Sequence, residues 1–168
     1  MDFNDVVFSR RSIRKFIDKD VEEEKVKLLL RYAMASPSAM NKRPLKYIII
    51  QNKEILSKLS SLPFSPIKSN LMIAIVADLK KAINPDMNGF WIQDASASCQ
   101  NILLGARNLG LGSLWIGTYP VEAKYKLAQE ILNLKSDEIP VILIHIGYTD
   151  LDFNNKDYFA EDLVKYIK

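Results

Sequence analysis

FWIQDASASCQNILLGARNLGLGSLWIGTYP, residues 90–120, decides the architecture. Between Phe90 and Leu109 there is no proline and only Gly105 interrupts the run, which predicts one long helix. NLGLG follows, with Gly110 placed to take the left-handed turn that caps a helix C-terminus. SLWIGT (113–118) is short and apolar, the pattern of a strand. A long helix feeding a strand calls for helices layered on a sheet. Within the helix, Ala95, Ser96, Ala97, Ser98 and Cys99 form a run of small side chains that lets another backbone come close. That backbone could belong to a neighbouring helix or to a second subunit.

Outward from this segment, strands and helices alternate. Asp20 followed by Glu23 is a capping-box pattern opening a helix to about Ala35, with Val26, Leu29, Leu30 and Ala33 at helical spacing. LKYIIIQ (45–51) and NLMIAIVAD (70–78) read as strands buried on both faces, and residues 52–62 between them as a helix. Pro120 suits the first turn of a helix running to about Leu132, and PVILIHIGY (140–148) is the last strong strand. A polar tail follows, with a short helix expected near 160–167. Without a strict βαβ repeat, this succession suggests an α/β or α+β layered domain.

With 48% hydrophobic residues in 168, the chain is expected to form one compact domain over 1–168 with a core of ordinary size. The formal charge of +3 is small, and acidic residues follow the basic ones closely, so a nucleic-acid surface is not expected. Cys99 is the only cysteine, which rules out an intramolecular disulfide and a cysteine-rich metal site and fits a reducing compartment. No apolar run is long enough for a bilayer and no signal pattern opens the chain, so a cytoplasmic protein without a membrane partner is expected. His145, in VILIHIGY, is expected to be structural, Cys99 to serve packing, and Asp78 to cap the segment after its strand.

Three stretches carry polar chemistry. In RRSIRKF (10–16), an extended backbone would put Arg10, Ser12 and Arg14 on one side. Two guanidinium forks and a hydroxyl suit a phosphate monoester; a solvated turn pairing with the acids at 18–24 is the other reading. SPSAMNKRP (36–44) offers Ser36, Ser38, Asn41 and Arg43 on a loop entering a strand. Asn41 has the donor and acceptor groups that suit the edge of a heterocycle, although such residues also make ordinary loops. GLGSLWIGTYP (110–120) sets Trp115 and Tyr119 among glycines that permit close approach of an aromatic ring, or simply form a tight helix-to-strand turn.

Taken in this order, RRSIRKF, SPSAMNKRP, ARNLGLGSLWIGTYP and the late IGY resemble the nitroreductase family of flavin mononucleotide (FMN) enzymes, over nearly the whole chain. The resemblance implies an α+β three-layer sandwich, with a mixed, mostly antiparallel central sheet flanked by helices. It implies that Arg10, Arg11, Ser12 and Arg14 grip the FMN phosphate and reach toward the flavin. Asn41, Arg43 and Ser38 would bond the ribityl chain or the polar edge of the ring. The backbone at Ile116 and Gly117 would lie beside the reactive part of the isoalloxazine, with Trp115 packed near it. It further implies a homodimer with FMN at the subunit interface, which tips the small-residue helix toward subunit packing. Two departures stand out: the tail offers Lys156, where many relatives carry an arginine that completes the phosphate site, and residues 79–90 are short where longer relatives insert helices.

The implied activity is hydride transfer from NAD(P)H, through flavin N5, to nitroaromatics, quinones or similar electron-poor acceptors, with no protein acid or base in the first half. Arg14 would stabilise the reduced flavin electrostatically. A flavin store or sensor without turnover, and a flavin-dependent dehalogenase on the same fold, are the alternatives. No motif selects NADH over NADPH.

Overall fold

Four strands, β1 (Leu45–Ile50), β2 (Leu71–Asp78), β3 (Gly112–Gly117) and β4 (Glu138–Gly147), pair antiparallel in the order β1-β2-β4-β3. The computed structural model describes residues 1–61, 63–85 and 89–168. Among the described residues five α-helices accompany the sheet: α1 (Phe3–Ser9), α2 (Glu23–Met34), α3 (Lys53–Leu59), α4 (Phe90–Asn108) and α5 (Glu122–Ile131). Side chains alternate across a strand, and β2 shows the result. Leu71, Ile73, Ile75 and Ala77 enter one core with α2 and α4, while Met72, Ala74 and Val76 enter another with α3 and α5. Helices therefore cover both faces, and the protein is an α+β three-layer sandwich. All four strands are antiparallel, and the parallel component of the sheet is an isolated bridge between Ser12 and Ser113.

The central helix ends as its sequence requires. Leu111 N–H reaches the Ala106 carbonyl at 2.8 Å and Gly110 N–H the Arg107 carbonyl at 3.1 Å, with Gly110 at φ 74°, which is a Schellman cap. Gly105 answers a packing need, since a Cβ there would stand 2.5 Å from the Tyr32 ring of α2. The small-residue run is shared with the chain's own layers: Ala95, Ser98 and Cys99 are buried in the core beneath α2, while Ser96 and Ala97 are only partly covered.

Several expectations need correction. α2 opens at Glu23 behind Glu22, which makes no side-chain cap, so the Asp20–Glu23 capping box does not form; Asp20 accepts from Asn70 Nδ2 at 3.1 Å instead. β1 is an edge strand and only partly buried, whereas β2 is buried throughout. Pro120 precedes α5 in a turn behind a cis Tyr119–Pro120 bond rather than lying inside the helix. β4 begins at Glu138, and Pro140 fits within it because the register against β2 shifts between Ile75 and Val76. The Val141 carbonyl, at this irregularity, accepts from both Thr118 N–H and Tyr119 N–H. The tail forms only a 3-10 turn at Glu161–Leu163. Helix α1 has no counterpart among the expected elements. Leu62, at the end of the expected 52–62 helix, and residues 86–88 of the shortened connection lie outside the described residues.

Candidate functional site

The basic motif is held by a strand edge. α1 ends at Ser9, the Arg10 N–H returns to the Val6 carbonyl at 3.0 Å, and the Ile13 N–H bonds the Ser113 carbonyl of β3 at 2.9 Å. Ile13 turns inward over Gly112, where a Cβ would stand 2.9 Å from both Ile13 γ-carbons, so only glycine admits this approach. Ser12 and Arg14 stay exposed and Arg10 partly buried, consistent with alternation. Among the described residues neither Arg10 nor Arg14 takes a carboxylate partner, so the pairing with acids at 18–24 does not form. Arg11 departs from the expected group: its guanidinium bonds the Arg10 carbonyl at 2.6 Å and the Asn154 carbonyl, fastening the tail.

The tail thereby comes to the motif. Lys156 N–H donates to the Phe8 carbonyl at 3.0 Å, which places this residue beside the turn carrying Arg10. Arg107 of α4 braces the same region, with its Nε 2.7 Å from Ser9 Oγ and its guanidinium 4.1 Å over the Phe153 ring. Burial pushes the Cys99 thiol well up, opposed only by the charge of Arg10, so this cysteine is no nucleophile at neutral pH.

The second motif is a strained loop. Ser38 precedes a 3-10 turn, Ala39–Asn41, and Met40, Asn41 and Arg43 have φ of 47°, 55° and 49°. Left-handed backbone costs about 1–2 kcal/mol for an ordinary residue and less for asparagine, so such a cluster must be held by the surrounding contacts. Within it Ser38 Oγ accepts the Arg43 N–H at 3.0 Å, and Arg43 Nε donates to Asn41 Oδ1 at 2.8 Å. Ser38, Asn41 and Arg43 are therefore brought together. A cavity of about 220 Å³ opens beside them, lined by Ser36, Ser38, Arg43 and Tyr47 among others. Burial raises the Tyr47 phenol, which lies 2.8 Å from Ser98 Oγ.

The third motif is the outer edge of β3. Ser113 turns its carbonyl outward to Ile13, so alternation turns the main-chain groups of Trp115 and Gly117 outward as well and commits those of Ile116 to β4. Of the Ile116–Gly117 pair expected to offer backbone, Gly117 does so, joined by Trp115. The Trp115 side chain packs on the α2/α4 core and that of Ile116 on the opposite one.

One chain does not unite these parts. Loop 38–43 enters β1 and the basic motif rides on β3, at opposite edges of the sheet. Along α4, the loop touches Asp94 and the turn at Ser9 touches Arg107. Those helix positions are about 20 Å apart along its axis. Arg10, Ser12, Arg14, Lys156, Trp115 and Gly117 form one group, and Ser38, Asn41 and Arg43 another.

Two residues that hold these groups, Asp94 and Arg107, escaped the sequence reading, because a polar residue on a long helix looks like a solvated face until its neighbours are known. A larger cavity, about 500 Å³, is lined by Asp18, Asp20, Lys53, Lys68 and Asn70 among others and contains none of the motif residues. Its carboxylates already accept from Asn70, at 2.8 Å and 3.1 Å.

The motif groups suit FMN. Arginines without a carboxylate partner among the described residues and a serine hydroxyl match a phosphate, an asparagine–arginine pair matches a polar ring edge, and an open strand edge beside Gly117 leaves room for a flat ring. The chain matches the Nitroreductase family over residues 7–74 and 66–148. It is 34% identical over 169 aligned positions to a Methanothermobacter thermautotrophicus protein named "Putative NADH dehydrogenase/NAD(P)H nitroreductase", covering 100% of this chain and 88% of that one. The solved structure of an FMN-dependent nitroreductase from Clostridium difficile R20291 is 31% identical, with a TM-score of 0.85 over 97% of this chain and 98% of that one. An FMN reductase [NAD(P)H] from Bacillus subtilis is 26% identical over 78% of this chain and 59% of its own length. Matched by the family model over most of its length and 34% identical to a relative across the whole chain, this chain belongs to the nitroreductase family.

Proposed function

We propose that this chain is a cytoplasmic, single-domain enzyme that takes hydride from NAD(P)H and passes it to a nitroaromatic, a quinone or a similar small electron-poor acceptor. FMN is the cofactor, and the activity is that of an NAD(P)H-dependent flavin oxidoreductase. When bound, FMN supplies the ring nitrogen N5 that accepts and returns the hydride. Everything else falls to the chain's own groups. Arg10, Ser12 and Arg14 would hold the phosphate end, with Lys156 beside them in place of a tail arginine. Asn41, Arg43 and Ser38 would hold the ribityl chain or ring edge, and Trp115 and Gly117 the face of the ring.

The observation that carries this reading is the division of the donors between two distant groups. A ligand that needs both is served if a second copy brings its 38–43 loop against the first copy's β3 edge. We therefore infer a homodimer with FMN at the subunit interface. The partly covered outer face of α4, with Gln93, Ala97, Gln100 and Leu104, offers a surface for it. No helix among the described residues is long and apolar enough to cross a membrane.

The test is a visible spectrum of protein loaded with FMN and desalted, followed by anaerobic NADH and then NADPH. A retained yellow colour that bleaches supports the oxidoreductase and names its donor. Retention without bleaching favours a store or sensor, and bleaching with transfer only to halogenated aromatics favours the dehalogenase. Loss of flavin on desalting counts against the assigned phosphate site.

A further inference from the structure

We propose that Asp94 is the positioning residue of the flavin-edge loop: its buried carboxylate fixes residues 38–43 in the left-handed course that presents Asn41 and Arg43. The inference rests on the reading that this loop contacts FMN, and goes beyond it by naming what sets the loop's geometry.

Asp94 lies in the second turn of α4 and is only 6% exposed. Its Oδ1 accepts the Ala39 N–H at 2.9 Å, at the first residue of the 3-10 turn. A carboxylate taken out of water must be held by strong donors, and a bond from a main-chain N–H to a charged oxygen is of the stronger kind. The other polar bonds of the loop, Ser38 to Arg43 and Asn41 to Arg43, close it upon itself. They preserve its shape and leave its place undetermined. Among the described residues, the Asp94 bond is the one that ties residues 37–43 to a neighbouring element by a side chain, and that element is the rigid central helix.

The consequence reaches Asn41. Arg43 Nε can only donate, so Asn41 must turn its oxygen toward it, which leaves the Asn41 Nδ2 hydrogens, without an acceptor among the described residues, to an outside one. The loop thus offers donors, from Asn41 Nδ2 and the Arg43 Nη groups, to the carbonyl edge of a planar ligand. Their direction depends on three left-handed residues, Met40, Asn41 and Arg43, which are free to relax toward ordinary backbone once Ala39 is released.

The experiment is titration of apoprotein with FMN, read by flavin fluorescence, beside thermal unfolding of each variant. In the expected result Asn41→Ala weakens FMN binding, and Asp94→Ala weakens it roughly tenfold. Asp94→Asn stays close to the parent, because an amide oxygen still accepts from Ala39. The double variant Asp94→Ala with Asn41→Ala binds no more weakly than the worse single one, since Asn41 is already misplaced without Asp94. Additive losses, or a folded Asp94→Ala that binds FMN like the parent while Asn41→Ala does not, overturn the positioning role alone. Parental affinity in Asn41→Ala overturns instead the reading that places Asn41 on the flavin. Should Asp94→Ala fail to fold, Ala39→Pro removes only the donor. Proline is tolerated at the first residue of a helical turn, and Ser38 at φ −138°, ψ 151° already has the backbone that precedes one. This variant should lose FMN affinity as Asp94→Ala does, and parental affinity in it rejects the proposal.

Discussion

Ser69 Oγ lies 2.9 Å from His145 Nδ1 and also donates to the Leu71 carbonyl at 2.9 Å. A hydroxyl has one hydrogen, so the imidazole supplies the other, and His145 is the neutral Nδ1–H tautomer with the Nε2 lone pair unpartnered in the core. Burial lowers its pKa to about 4. Above pH 6.5 both folded and unfolded chains carry it neutral, and its buried site costs nothing in protons. Between 6.5 and about 4 the unfolded chain takes up a proton that the folded chain refuses, so stability falls as pH falls. The whole loss is about 3 kcal/mol, complete near the folded pKa. Urea unfolding between pH 7.5 and 4.5 measures it, and His145→Gln, with no proton to gain, should flatten the slope relative to the parent. Equal slopes in both proteins would assign the pH dependence to carboxylates.

Gly112 and Ile13 set the next expectation. A Cβ at Gly112 meets both γ-carbons of a buried, stiff, β-branched side chain, so Ile13 must move and the Ser12–Ser113 bridge with it. Gly112→Ala should destabilise the fold by about 1–3 kcal/mol and weaken FMN binding in the variant that still folds. Chemical denaturation and flavin titration check the two effects, and a loss of stability without loss of flavin would separate the bridge from the phosphate site.

Arg10 and Ser12 should matter more to FMN than to the fold, because Ser12 is exposed and Arg10, though partly buried, takes no carboxylate partner among the described residues. The double substitution Arg10→Ala with Ser12→Ala is expected to raise the Kd for FMN by roughly a hundredfold at unchanged melting temperature, with weaker salt dependence. Unchanged affinity would move the phosphate elsewhere.

Arg14 is exposed, with its guanidinium 3.4 Å from the Ser12 carbonyl and no carboxylate beside it among the described residues. Its charge is therefore available to a reduced, more negative flavin. Arg14→Gln should lower the flavin midpoint potential by tens of millivolts, on the order expected for one partly screened charge nearby. Spectroelectrochemistry reads this directly, and an unmoved potential would leave Arg14 as a phosphate anchor at most.

Which features could be read in advance follows from how local their causes are. The α4 helix and its Gly110 cap depend on neighbours in sequence, as do strands β2 and β4, and the chain announces them. Helix α1 was missed because its FNDVVFS sequence is short, carries only Val6 and Ser9 inward, and depends on packing against α4. The capping box failed because Asp20 found Asn70, fifty residues away. At the site, the residue types of RRSIRKF and SPSAMNKRP were legible as donors. Their separation along α4, the diversion of Arg11 to the tail and the tether from Asp94 are tertiary facts that no local pattern encodes.

Asn41→Gly isolates what the side chain does from what the loop does. Glycine adopts φ of 55° without steric cost, so the backbone course of residues 38–43 should survive the change, and the Asp94–Ala39 bond with it. The folded state gains a little from relief of left-handed strain and loses a comparable amount through the freer unfolded chain, which leaves the melting temperature within a few degrees of the parent. What disappears is the partner of Arg43 Nε and the free amide donors. FMN affinity should therefore fall as far in Asn41→Gly as in Asn41→Ala, although alanine must bear the strain and glycine need not. Flavin titration of the two variants side by side decides it: equal losses place the effect in the amide group, whereas near-parental binding by the glycine variant would place it in the backbone.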